Sequence, residues 1–172
     1  MRVVGVFLAM AAALTLQSTL AGMSVGGGVA VNLVLVVVVY VALAYGAVIG
    51  LATGAIGGLV QDALSGGIIG VGGFAKTLIG FLVGVLGAQF IVSQPLPRFI
   101  MFVAATIVHD LCFQALAALV QSHSMRVPLT PLVAQAALNG LIGILAFQLV
   151  EAGPGLLQRR RMRGESFGRR RF

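Results

Sequence analysis

Hydrophobic positions along the chain fall in long runs, separated by short clusters of glycine, proline and polar residues. The first run follows Arg2 and predicts a span over about 3–20, long enough for a ~30 Å hydrocarbon core. A cleaved signal peptide is the alternative, because Thr19-Leu20-Ala21 loosely resembles a small-residue cleavage site, although further apolar runs follow at once. After a glycine- and serine-containing loop at 22–28, residues 29–60 form one continuous apolar stretch. As a single helix it would measure about 48 Å, too long for one crossing. Two short spans, 29–45 and 46–61, joined near Tyr45-Gly46, fit better. Residues 61–75 read as a glycine-rich connection or broken helix, followed by a span over 74–93 and a turn at Gln94-Pro95-Leu96-Pro97-Arg98. Spans over 99–121 and 131–150 complete a six-helix transmembrane domain at 1–150. The arginine-rich tail, 151–172, is expected to have no packed structure of its own.

Composition narrows the class. The chain is 59% hydrophobic and only 9% charged, with a mean hydropathy of +1.09. That leaves too little charge to cover a soluble domain of this size, so the fold class is an all-α integral membrane protein. Nothing between residues 3 and 61 is charged, and seven arginines lie between Arg159 and Arg171. With six spans, Arg2, Arg98 and the tail share a face, leaving Lys76 and Arg126 opposite. The positive-inside bias makes the shared face cytoplasmic and places both termini there. Five spans would separate Arg2 from the tail, a less consistent arrangement. The tail reads as a topology anchor touching membrane lipids, or as a contact for an acidic partner. Nucleic acid fits it poorly, because Phe167 and Phe172 are its only aromatics.

Candidate chemistry is sparse. Gly46, Gly50, Gly54 and Gly58 recur every fourth residue, and Asp62, Gly66 and Gly70 continue the series. Such a spacing drifts around a helix as an inclined ridge, along which backbones can approach closely in lipid. Leucine at Gly54 or Gly58 should force neighbouring helices apart, whereas alanine should be much milder. Asp62 is expected to cap a turn through Ser65 and Gly66, or to pair with Lys76. Asp110 lies mid-span, where an acid costs about 2.5–3.5 kcal/mol and must face the bundle interior. It is read either as a proton relay or substrate ligand, or as a packing acid bonded to a neighbour such as Asn139. His109 adjoins it, but consecutive helical residues point about 100° apart and are not expected to serve one small site. Gln17, Cys112 and Gln114 read as packing or interhelical hydrogen-bonding residues. No hydrolase constellation, phosphate-binding loop or Cys/His metal spacing is present, so hydrolase chemistry has no support and no cofactor or metal is expected.

With these residues in view, the chain resembles the MreD family of rod shape-determining membrane proteins over nearly its whole length. The most specific match is Gly54-Ala-Ile-Gly-Gly58-Leu-Val-Gln-Asp62-Ala-Leu-Ser65-Gly66, followed by Gly70 and by Ala75-Lys76-Thr-Leu-Ile-Gly80. Leu16-Gln17-Ser18-Thr19-Leu20, Asp110 and Asn139-Gly140 match more weakly, and Val31-Asn32-Leu33 lacks the family's usual proline. The resemblance implies a non-enzymatic inner-membrane scaffold of the bacterial cell-elongation complex. Such a scaffold binds MreC, with RodA, the elongation transpeptidase and MreB as less direct partners, and supports rod shape and lateral peptidoglycan synthesis. It also implies a fold similar to the substrate-binding subunits of energy-coupling-factor vitamin transporters. The alternative function is therefore a small-molecule-binding membrane subunit or transporter. A transporter should show a polar cavity converging on Asp62, Asp110 and Asn139; a scaffold should show them bonded in a packed interior.

Overall fold

The computed structural model describes the backbone at residues 2–23, 31–66, 68–90, 94–121 and 129–168. Side chains are described within 4–19, 31–66, 68–90, 94–121 and 129–151. Six helices follow in order: α1 (Arg2–Met23), α2 (Leu33–Tyr45), α3 (Ala47–Ser65), α4 (Val71–Gln89), α5 (Pro95–Gln121) and α6 (Leu129–Gly168). The last four are long and apolar enough to cross a membrane. α2, with 13 residues, is about 20 Å long and falls short of the hydrocarbon thickness.

The central helix is this short one. Asn32 caps it: its Oδ1 accepts from the Leu35 N–H at 3.1 Å. Val34, Leu35, Val38, Val39, Val41 and Ala42 are all 1% exposed or less, so the helix is enclosed nearly all round. Valine-rich stretches make weak isolated helices, and here packing supplies what propensity does not. Leu35, Val36, Val39 and Ala42 meet Ile79 and Val83 of α4, Phe102 and Ala105 of α5 and Phe147 of α6 in the main core. Met10 and Ala13 of α1 pack separately on Val34 and Val38.

The apolar stretch over 29–60 does divide at Gly46. Its φ of +91° ends α2 without a steric penalty, its N–H donates to the Ala42 carbonyl at 2.9 Å, and α3 folds straight back. Gly46 is therefore a hinge and not a member of the ridge. Gly66 (φ +66°) and Gly70 (φ +105°) also leave the series, as left-handed positions in the connection to α4. What remains is a contact between antiparallel α3 and α4. Gly50 lies on Gly80, Gly54 on Lys76 and Thr77, Gly58 on Gly73, and Ala47 on Gly84. A Cβ added at Gly58 would sit 2.6 Å from the Gly73 Cα, so the two backbones touch.

Two sequence readings shift. Pro95 and Pro97 open α5 instead of forming a separate turn, a placement proline tolerates because the first helical N–H groups lack intrahelical acceptors. The backbone of α6 runs on as helix to Gly168, into the segment expected to be without structure of its own.

Candidate functional site

The buried polar residues gather where α2 begins and α3 gives way to α4. Asp62, in the last turn of α3, is 7% exposed. Its Oδ2 accepts from the Gly70 N–H at 2.9 Å and the Gly73 N–H at 3.0 Å. The carboxylate thus occupies the N-terminus of the next helix, satisfying donors that α4 cannot and matching the positive end of its dipole. Gly72 lies directly against Asp62 Oδ1, with no room there for a side chain. This corrects the expected roles. Ser65 Oγ donates to the Asp62 main-chain carbonyl at 3.2 Å, not to its carboxylate, and Gly66 serves α3 as its C-cap.

Lys76 sits one turn further into α4 and is 3% exposed. Among the described residues it makes no direct ion pair with either acid. Its charge instead acts at longer range on Asp62, on Asp110 and on His109 of α5. His109 is also 3% exposed, and its Nδ1 lies 2.9 Å from Asp110 Oδ1. The two neighbours therefore do form one unit. Their Cα–Cβ bonds diverge, but the side-chain torsions bring the polar ends together. His109 stacks on Phe113 one turn on, with ring centroids 6.2 Å apart, while its buried Nε2 has no hydrogen-bond partner among the described residues.

Asn139 of α6 joins a separate network and not Asp110. It is fully buried, accepts from the Asn32 main-chain N–H at 3.2 Å and donates to Thr106 Oγ1 at 3.2 Å. Thr106 Oγ1 in turn donates to the Phe102 carbonyl at 2.8 Å. Gln17 of α1 completes the belt by accepting from the Val34 N–H at 3.2 Å. The N-terminus of α2 is thus held by its own Asn32 and by side chains from α1 and α6. Asn32 and Thr106 were not singled out from sequence as site residues. An asparagine directly before an apolar run is an N-cap signal, but its attachment to a residue 107 positions away has no local signature.

At the opposite end Arg98 Nη2 meets Glu151 Oε1 at 2.6 Å. The guanidinium lies 4.4 Å over the Phe147 ring, which in turn packs on Tyr40. This ties the start of α5 to the far end of the apolar part of α6. A cavity of about 500 Å³ lies between α1 and α3, walled by Phe7, Met10, Tyr45, Val48, Ile56 and Gly57 among others. None of the belt residues lines it.

Among the described residues, Asp62, Asp110 and Asn139 do not line the cavity between α1 and α3. Each is bonded to the fold, the first to α4 main chain, the second to His109 and the third to α2 and Thr106. Such an all-helical chain, with four helices of membrane-crossing length and ionisable residues turned inward, is a membrane protein whose polar groups hold the bundle together. The family model for rod shape-determining protein MreD matches residues 1–152, and the chain belongs to that family. Its role accordingly lies in rod shape determination. No curated protein and no solved structure matches the chain, so the likeness to vitamin-transporter subunits is unsupported.

Proposed function

We propose that the chain is a non-enzymatic scaffold of the bacterial cell-elongation complex, set in the inner membrane by its six helices with both termini cytoplasmic. In this reading it holds the membrane helix of MreC and, through it, works beside RodA, the elongation transpeptidase and MreB in lateral peptidoglycan synthesis. The observation that carries the proposal is the bonding of Asp62, Asp110 and Asn139 within the bundle, in a chain of the MreD family. A carrier would need those groups free to meet a ligand. The Arg98–Glu151 pair supports the orientation, since it brings the basic start of α5 beside the root of the arginine tail. The tail arginines then lie at the cytoplasmic leaflet, each worth about 1 kcal/mol against anionic lipid.

The surface we assign to the MreC helix is the apolar groove between α1 and α3. Val48 and Phe7 on its rim are 79% and 61% exposed, and a helix about 10 Å across needs a concave apolar seat more than a polar one. Photo-crosslinkers at Val48 and Phe7, and at Leu149 of α6 as a distant control, test both statements in cells. Crosslinks to MreC from the first two positions and not from Leu149 are expected. Crosslinks from Leu149 alone would remove the groove, and failure of MreC to crosslink or co-purify at all would remove the scaffold reading.

A further inference from the structure

Three inward-facing side chains that the scaffold reading leaves unexplained meet where α2 begins. Gln61 continues the face of α3 that carries Gly50, Gly54 and Gly57, and Gly57 lies against Val34 in the first turn of α2. His109 continues the face of α5 that carries Phe102, Ala105 and Thr106, all 4% exposed or less. Thr106 is tied through Asn139 to the Asn32 N–H, so His109, one turn on, stands beside the same end of α2. Lys76 continues the face of α4 that carries Ile79 and Val83, both in the main core. Helical side chains lean toward their own N-terminus, which carries the Lys76 ammonium back toward Gly73 and the Asp62 cap.

All three leave polar atoms unsatisfied. Gln61 Oε1 and His109 Nε2 are buried and have no hydrogen-bond partner among the described residues. Lys76, 3% exposed, makes neither an ion pair nor a side-chain hydrogen bond among those residues. Their chemistries complement one another. The His109 Nδ1–H donates to the Asp110 carboxylate at 2.9 Å, which leaves Nε2 a bare lone pair. Gln61 Oε1 is likewise an acceptor, and the Lys76 ammonium brings three donors. Buried polar groups of folded proteins are nearly always partnered. An anion here would meet two lone pairs and the neighbouring Asp62 and Asp110 carboxylates, and a cation would meet Lys76. Water is neutral, accepts from an ammonium and donates to both acceptors.

We propose that Gln61, Lys76 and His109 form a binding site for ordered water that joins α3, α4 and α5 around the start of α2. The water accepts from Lys76 Nζ and donates to His109 Nε2 and Gln61 Oε1, through one molecule or a short chain. Its source is near. Lys76 lies five residues inside the start of α4, a rise of about 7.5 Å, and its side chain points back toward that end. The inference goes beyond the scaffold reading and does not depend on it, since it concerns only how these three side chains are satisfied.

The test is water-edited solid-state NMR on the full chain, labelled with ¹³C and ¹⁵N, in phospholipid bilayers. His123→Gln leaves His109 as the one histidine, and Lys76 is already the one lysine, so both signals are unambiguous. Polarisation passing from water protons is followed into the His109 ring and the Lys76 Cε. Phe102 and Ile79, each 1% exposed and on the same inward faces, are the dry references. Transfer to His109 and Lys76 several-fold faster than to the references is expected. Lys76→Met keeps a long flexible side chain but removes the donors, and the fast transfer to His109 should then be lost. Transfer to His109 as slow as to Phe102 in the parent chain overturns the proposal, whether or not the Lys76→Met protein folds. Fast transfer to His109 that persists in folded Lys76→Met protein also overturns it, because the water would then be held without Lys76.

Discussion

Gly54→Ala adds one methyl group where α3 meets α4. That methyl would stand 2.6 Å from the Lys76 carbonyl carbon and 2.9 Å from the Thr77 nitrogen. The Lys76 carbonyl oxygen would lie nearer still, and ordinary contact begins at 3.4 Å, so the helices must separate by more than roughly 0.8 Å. The obstructing atoms are backbone, which no rotamer change can move aside. Overpacking costs about 1–3 kcal/mol, and a rigid neighbour argues for the upper half of that range. Alanine gains about 1 kcal/mol over glycine in helix preference, leaving a net loss of about 1–2 kcal/mol. Alanine already reaches the opposing main chain, and leucine would add the rest of its side chain to the same clash. Gly5→Ala is the internal control, since nothing lies within 4 Å of that position. Equilibrium unfolding of the purified protein in mixed detergent measures both. The reasoning fails if Gly54→Ala proves as stable as wild type, or gains stability alongside Gly5→Ala.

Three further outcomes follow from the belt and the topology. Asp62→Ala should cost about 1–3 kcal/mol for each buried N–H it abandons, while Asp62→Asn, keeping an acceptor, should lose less; denaturant unfolding of the two variants ranks them. Asn139→Leu leaves the Asn32 N–H without its acceptor and should lower the unfolding midpoint by a comparable amount, and no loss would mean that α2 is not held from α6. In a Cys112→Ala background, cysteines at Ser24 and Ser124 should react with an impermeant reagent on intact cells and one at Ser166 should not; labelling at Ser166 would reverse the orientation.

Helix number and a break within 29–60 are legible in the sequence because length alone forbids a single 32-residue crossing, and Gly46, near the middle of that stretch, permits the reversal. The packing ridge is legible in part. Gly50, Gly54 and Gly58 keep their spacing and their role, but periodicity cannot tell a ridge glycine from the turn glycines at 46, 66 and 70, which differ only in φ. Asp62 is visible as an anomaly in an uncharged stretch. Its partners are not, because they are main-chain groups of the next helix brought near by a left-handed turn. The tie between Asn139 and Asn32 depends wholly on tertiary packing. His109 and Asp110 show the limit of arguing from helix geometry at Cα, since flexible side chains close an angle that the backbone opens.

The account stands or falls on whether the buried acid of α5 holds the bundle or works on a ligand. Asp110→Asn, expressed in place of the native chain in rod-shaped cells, separates the two most directly. The amide preserves the shape of the side chain and can still hydrogen-bond His109, so a scaffold should fold, retain MreC and sustain rod-shaped growth. Cells that round up while the variant remains folded, membrane-inserted and bound to MreC would contradict the account and point to a charge change at Asp110 as part of the protein's work.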